Sequence, residues 1–411
     1  MPDRPRLTPP VADIRRAVRL ALSGRVSEGD LVVVALSGGP DSLALAAGTA
    51  FEAPRAGLRA GAVIVDHGLQ EGSAEAAERA AEQARALGLD PVVVVRANVA
   101  ERGDGPEAAA RAARYEALEA ARNELGASVV LLGHTLDDQA ETVLLGLARG
   151  SGATSLHGMA VASGSLVRPL LGIRREATLQ ACHDQGLQPW HDPHNEDPRF
   201  KRVRARRNVL PVMEQELGPG IAEALARTAT SLREDAETLD VLASEWAREI
   251  VSEDADGRVS IDVGGLVAQP PALRQRICRQ VAEQGFGVSL SRRHTMAVAA
   301  LATEWRGQGA VNLPGIRVER ERGRIMFAAA SPDDSANPEL SADSPADAVA
   351  TSTDERVTDT ARATGGAVQL PSSGDIPRTS RQFTDPDFGA GLDAIERIEE
   401  SGQAHPGDTA Q

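Results

Sequence analysis

An unbroken apolar run, Leu31-Val32-Val33-Val34-Ala35-Leu36, passes directly into Ser37-Gly38-Gly39-Pro40-Asp41-Ser42 and then into Leu43-Ala44-Leu45-Ala46-Ala47. This succession leaves the chain few folds to choose from. A short β-branched segment that is apolar on both faces suits a strand buried on both sides, the condition of a parallel sheet, and the segment after the loop is made of helix formers. Gly38 and Gly39 therefore fall at a strand-to-helix turn. Without Cβ atoms they let the backbone close around an anion, and the N–H groups of the next helix's first turn point at it. Ser37 and Ser42 add hydroxyls, and Asp41 is placed to hold a magnesium ion riding on phosphates. A Walker A loop needs Gly-Lys-Ser/Thr here, and no lysine is present. An ordinary Gly-Pro-Asp turn would need no such flanking strand and helix, so a phosphate cradle is the stronger reading.

The same alternation continues down the chain. A strand over Gly61 to Val65 ends in Asp66-His67-Gly68-Leu69-Gln70, a helix covers Ser73 to Leu87, a strand runs from Pro91 to Val95, a helix from Pro106 to Leu125, and a strand over Val129 to Leu132. The pattern predicts a doubly wound, mostly parallel α/β sheet, Rossmann-like, with its polar clusters at the carboxyl ends of strands, where such sheets bind ligands. Asp66 is a metal or substrate-amine ligand or, equally on this tripeptide, the cap of a turn. Gly133-His134-Thr135-Leu136-Asp137-Asp138-Gln139-Ala140-Glu141-Thr142 opens a helix on which three carboxylates crowd one side near the N-terminus, an arrangement that invites a cation. Capping and dipole compensation explain one or two acids there, but not a histidine and three acids together. Arg111, Arg114 and Tyr115 lie on the long helix before it, where arginine forks suit phosphates and exposed Arg–Glu pairs are just as ordinary.

Farther on, Trp190 to Pro198 is a loop of turn formers, and Arg199-Phe200-Lys201-Arg202-Val203-Arg204-Ala205-Arg206-Arg207 places six positive charges in nine residues. The net charge of -15 argues against a nucleic-acid partner until its distribution is considered. Residues 331–411 hold 16 Asp and Glu against 5 Arg, which leaves only -4 on the rest of the chain, so the basic run favours a phosphate-rich ligand. Helical spacing recurs over Ile221 to Ile250, Pro271 to Gln284 and Ser291 to Glu304, followed by a β-hairpin around Glu321-Arg322-Gly323. Beyond it, Ser, Asp, Ala, Thr and Pro dominate, and disorder is expected, with at most a short helix over 391–400. The domains read as 1–215, an α/β catalytic unit; 216–330, a smaller, mainly helical unit; and 331–411, an acidic, largely disordered tail. Cys182 and Cys278 lack metal-ligand or disulfide spacing, and no apolar run reaches membrane-spanning length, so the expectation is a cytoplasmic protein with no membrane partner.

These residues resemble a known family. The Ser37–Ser42 loop is similar to the SGGxDS loop of the N-type ATP pyrophosphatases (the PP-loop superfamily), which split ATP to AMP and pyrophosphate. Together with Val65 to Leu69, the Arg111 to Tyr115 helix, Leu132 to Thr142, Arg168-Pro169-Leu170-Leu171 and Asp192 to Asn195 with the arginines after it, the chain looks like the tRNA(Ile)-lysidine synthetases. The likeness implies ATP and Mg2+ as cofactors, L-lysine and a tRNA(Ile) with a CAU anticodon as partners, and allows a homodimer. It further implies nucleotide binding by Ser37, Gly38, Gly39, Pro40, Asp41, Ser42, Asp66, His67 and Gly133, with magnesium on Asp41 and Asp137. Catalytic roles would fall to Asp41, Asp137, Asp138, Glu141, Arg114 and His134, and tRNA binding to Arg202, Arg204 and Arg206. Glu141 or Asp137, with Asp66 as an alternative, would orient the lysine amine. Gln70, Thr135 and Val203 depart from the family's usual residues. The rival within the superfamily is tRNA thiolation, disfavoured because paired cysteines are lacking, and the rival outside enzymes is a nucleotide-binding regulator.

Overall fold

The computed structural model describes residues 7–66, 68, 72–97, 106–150, 153–190, 197–254 and 258–331 of the 411-residue chain. His67, the loop residues 191–196 and all but the first residue of the acidic tail, including the short helix expected over 391–400, lie outside the described residues.

The first sheet is laid down by β1 (Leu31–Ala35), β2 (Arg59–Asp66), β3 (Val92–Arg96), β4 (Val129–Leu131), β5 (Ala162–Ser163) and β6 (Leu166–Val167), in the spatial order β3-β2-β1-β4-β6-β5. All neighbours are parallel except β5 against β6. Strand order runs outward from β1 in both directions, so the chain reverses its winding between β1 and β4. That switch point opens a crevice beyond the two carboxyl ends. The register Val32↔Val129, Val33↔Val130 and Val34↔Leu131 makes those ends level.

Both faces of β1 are covered, as its sequence requires. Val32, Val34 and Leu36 join one core with α1 (Pro9–Leu22), α2 (Pro40–Glu52), α3 (Ser73–Ala86) and α7 (Arg175–Asp184), while Leu31, Val33 and Ala35 join another with Leu118 and Ala121 of α4 (Pro106–Leu125). The alternation is the period-2 consequence of a pleated strand. After β4 comes α5 (Leu136–Arg149), then the short α6 (Ala153–Leu156) before β5.

Beyond α7 the chain forms α8 (Lys201–Arg204), a wide π turn over Ala205–Val209, α9 (Leu210–Leu217) and the 30-residue α10 (Ile221–Ile250). The first turns of α10 pack Ala222 and Leu225 against Leu136 and Ala140 of α5, and its last turns carry Ala243, Ala247 and Ile250 into a separate core. That core is built on a five-stranded antiparallel sheet, β7 (Val251–Glu253), β8 (Val259–Asp262), β11 (Arg324–Ala329), β10 (Ile316–Glu321) and β9 (Val311–Leu313) in spatial order. The short α11 (Val263–Val267), then α12 (Pro271–Phe286) and α13 (Arg292–Thr303), complete it. The expected hairpin is β10–β11, but it is the middle of a sheet rather than a terminal appendage. Its outer strands are three or four residues long and half polar, so their sequence carries too little alternation to announce them.

Phe327 is fully buried here and stacks on Phe286 at 6.5 Å between ring centroids. Phe327→Ala is expected to cost about 3–5 kcal/mol in urea unfolding, whereas Val241→Ala on the exposed side of α10 should stay within about 0.5 kcal/mol. Equal effects of the two changes would contradict this core.

Candidate active site

Gly38 has φ +81°, a left-handed conformation that admits glycine without strain, and its carbonyl accepts the Trp190 N–H at 2.9 Å. Gly39 is the N-cap of α2, supplies no side-chain cap, and is followed by Pro40, which has no N–H of its own. The first-turn N–H groups of Asp41 and Ser42 are thus left facing the loop, as an anion cradle requires. The loop is braced internally: the Ser37 N–H donates to Ser42 Oγ at 3.2 Å, and that hydroxyl donates to the Gly39 carbonyl at 3.0 Å. From below, the Cys182 thiol donates to the Pro40 carbonyl at 3.3 Å.

The segment after β4 lies directly against this loop. A Cβ on Gly133 would stand 3.0 Å from Ser42 N and 3.1 Å from the carbonyl carbon of Asp41, so glycine is needed for two strand-end loops to touch. Two residues on, Thr135 caps α5 in a reciprocal capping box: its hydroxyl accepts the Asp138 N–H, and Asp138 Oδ2 accepts the Thr135 N–H at 2.8 Å and its hydroxyl at 2.9 Å. One oxygen of Asp138 is therefore a helix cap. The other faces outward into the crevice.

What it meets there is Arg175, the first residue of α7. Arg175 Nη2 donates to Asp138 Oδ1 at 2.7 Å, Nε to Asp41 Oδ2 at 3.2 Å, Nη1 to Glu141 Oε1 at 3.5 Å, and its backbone N–H to Asp137 Oδ2 at 2.7 Å. Thr178, one turn later on α7, donates to Asp41 Oδ1. Arg174 stands 3.5 Å from Asp137 Oδ1. Four of the five carboxylates singled out in the sequence, Asp41, Asp137, Asp138 and Glu141, are thus gathered around one helix end. That end is fixed by α7 packing on α1 and α2 and by the Leu136 N–H donating to the Ile173 carbonyl at 2.9 Å.

Glu141 is completely buried and held by three arginines. Arg206 clasps it with two bonds, Nε to Oε1 at 2.6 Å and Nη2 to Oε2 at 3.2 Å, and Arg202 and Arg175 approach at 3.5 Å. Arg206, four residues on, lies on the same side of the helix as Arg202, whose Nη2 also donates to Thr142 Oγ1 at 2.9 Å. The basic segment is therefore divided. Arg202 and Arg206 turn inward to the carboxylates, whereas Arg204 is exposed and donates to the Pro198 and Arg199 carbonyls.

Burial shapes the charges. It raises the Asp41 pKa, with Arg175 and Thr178 pulling the other way. For Asp138 burial is again the largest influence and acts upward, but Arg175, His134, the Thr135 N–H and Arg202 together bring the value down to about 2. Burial, with Arg168, Arg114 and Arg111 nearby, lowers His134 to about 3 against the upward pull of Asp138, so its imidazole is neutral and its Nδ1 has no partner among the described residues. Burial also lowers Arg114, reinforced by Arg111 and opposed by Tyr115. Asp66 sits at the same sheet edge one strand over, accepting the Gly68 N–H at 2.9 Å, which is the turn geometry its tripeptide allowed. The motifs missed Arg174, Arg175 and Thr178. One signal was available: two arginines opening a helix oppose its dipole and call for anions from elsewhere.

Residues 13–213 match the PP-loop domain family and residues 261–326 the TilS substrate binding domain family. The chain is 62% identical over 302 residues to a tRNA(Ile)-lysidine synthase of Leifsonia xyli subsp. xyli, covering 74% of this chain and 91% of that one. It is 53% identical over 324 residues to the tRNA(Ile)-lysidine synthase of Thermobifida fusca (78% and 98%) and 52% identical over 326 residues to that of Salinispora tropica (78% and 96%).

The two shifted groups give an acid limb with two parts. His134 protonates from an ordinary 6.5 in the unfolded chain but near 3 when folded, so stability is lost as pH falls through that window. Asp138 protonates from an ordinary 3.8 when unfolded but near 2 when folded, so its contribution is full above 3.8 and is lost as pH falls toward 2. In thermal melts across pH, His134→Asn should flatten the upper part of the limb and Asp138→Asn the lower part. An unchanged slope in either variant would contradict the assigned burial or pairing.

Proposed function

The chain belongs to the tRNA(Ile)-lysidine synthase family, and on that premise we propose that it adenylates the C2 oxygen of the wobble cytidine in a CAU-anticodon tRNA(Ile), after which L-lysine displaces AMP to form lysidine. It is an ATP-dependent PP-loop enzyme that acts on tRNA. In this reading it is a carbon–nitrogen ligase of the cytoplasm, and no helix among its described residues is long and apolar enough to cross a membrane. The observation that carries the proposal is the meeting of an uncapped phosphate cradle with a carboxylate–arginine cluster at the β1/β4 switch point.

A carbonyl oxygen is a poor leaving group, and AMP is a good one, so the cradle's N–H groups and hydroxyls would hold the phosphates while that exchange is made. Arg114 would meet developing phosphate charge. Asp41 and Asp137 fit Mg2+ in donor type; the described residues contain no group of three metal-ligating side chains, but this ion commonly takes one or two carboxylates and completes its shell with substrate phosphates and water. When bound it would neutralise the departing pyrophosphate.

The attacking amine has a pKa of about 10.4 in water and must shed a proton first. Among the carboxylates offered for this, Glu141 has both oxygens engaged and no exposed surface, whereas the Asp137 side chain is 21% exposed. Asp137 is therefore the better acceptor, with Glu141 holding Arg202 and Arg206 in place. Thiolation is opposed by the cysteines: burial pushes both Cys182 and Cys278 up to about 12, so each is an unreactive thiol rather than a thiolate. Residues 1–215 would carry catalysis and 216–330 hold the tRNA body, with exposed Arg204 contributing phosphate contacts at their junction.

The test is a turnover assay on the purified protein. Pyrophosphate and AMP should accumulate only when ATP, L-lysine and a CAU-anticodon tRNA are all present. Turnover with sulfide in place of lysine, or ATP binding without tRNA-dependent turnover, would contradict the reading.

A further inference from the structure

Arg175 pairs with carboxylates from two separate elements. Each of its three guanidinium nitrogens faces a different carboxylate, Asp41 from the phosphate-loop helix and Asp138 and Glu141 from α5, at 3.2, 2.7 and 3.5 Å. The cluster carries most of its own countercharge: Asp41, Asp137, Asp138 and Glu141, with Glu223 beside Arg174, stand against Arg174, Arg175, Arg202 and Arg206. Around Asp138 that countercharge is Arg175 itself, at 2.7 Å, yet the proposed second substrate arrives with an ammonium group of its own.

One arginine can leave without stranding a buried charge. Arg206 cannot, because it clasps Glu141, which has no exposed surface. Arg175 can, because its two nearest carboxylates each keep a second donor, Thr178 on Asp41 and the Thr135 N–H and hydroxyl on Asp138. Its side chain is 21% exposed, so there is an outward path.

We propose that Arg175 is an internal counter-cation that holds the place of the lysine amine on Asp138 and is displaced when L-lysine binds. It is a positioning residue that ties the phosphate-loop helix to the carboxylate helix until the nucleophile arrives. The proposal rests on the lysine-transfer reading above.

The test compares the full-length wild type with Arg175→Ala and Arg175→Lys in the complete reaction, reading KM for lysine, KM for ATP and kcat, with a thermal melt of each. Removing the competitor should lower the lysine KM of Arg175→Ala roughly three- to tenfold, since the carboxylates lose one positive neighbour. Loss of the tie should lower kcat by roughly ten- to a hundredfold. Arg175→Lys should return the lysine KM toward the wild-type value without recovering kcat, because one ammonium cannot face three carboxylates. Should Arg175→Ala fail to fold, Arg175→Gln takes its place with the same expectation. A lysine KM that is unchanged or raised in a folded variant overturns the proposal, as does a parallel rise in both KM values, which is what general damage would produce. A wild type with no lysine-dependent turnover would instead refute the underlying function, and the proposal with it.

Discussion

Four carboxylates at the mouth of one crevice repel one another, and one of them, Glu141, is wholly buried; the site stands only because arginines from later in the chain reach back to meet them. Removing one partner of such a buried pair commonly costs about 3–5 kcal/mol, so the arrangement binds distant segments together. Arg175 ties α7 to residues 34 to 134 positions earlier, and Arg206 ties the π turn to α5. The apolar cores hold the sheet together and seat α7 on it, and these ion pairs tie the segments after the sheet to the phosphate-loop helix and α5.

Much of the sheet was legible because its physics is local. A β-branched run apolar on both faces, a glycine turn and a helix-forming segment specify a buried parallel strand and its crossover, and β1, α2, α4 and β4 form where that pattern placed them. The motif Gly133 to Thr142 was legible for the same reason, since it follows such a strand. The second sheet was not: Val251-Ser252-Glu253 and Val259-Ser260-Ile261-Asp262 become strands through pairing with β11 and with each other, which no short window records.

Within the site, residue types were readable but directions were not. A count of charges makes Arg202, Arg204 and Arg206 one basic segment, whereas helical spacing puts the first and last on one face, against Glu141, and leaves Arg204 at the surface. The sequence around Asp138 fits either a cap or a site residue, and its two oxygens serve both purposes. Arg175 belongs to no motif, and its position emerges only when α7 packs on α2 beside the loop it serves. The phosphate cradle and the carboxylate cluster are thus one site, joined by a residue that neither motif contains.

On the proposed reading, this joined site forms a carbon–nitrogen bond between lysine and a cytidine of tRNA. Mass analysis of nucleosides from a CAU-anticodon tRNA, after reaction with ATP and isotope-labelled L-lysine, tests it most directly. The whole labelled lysine is expected, linked through its side-chain amine, on the wobble cytidine and nowhere else. An unlabelled cytidine, or one whose oxygen has been replaced by sulfur, would contradict it.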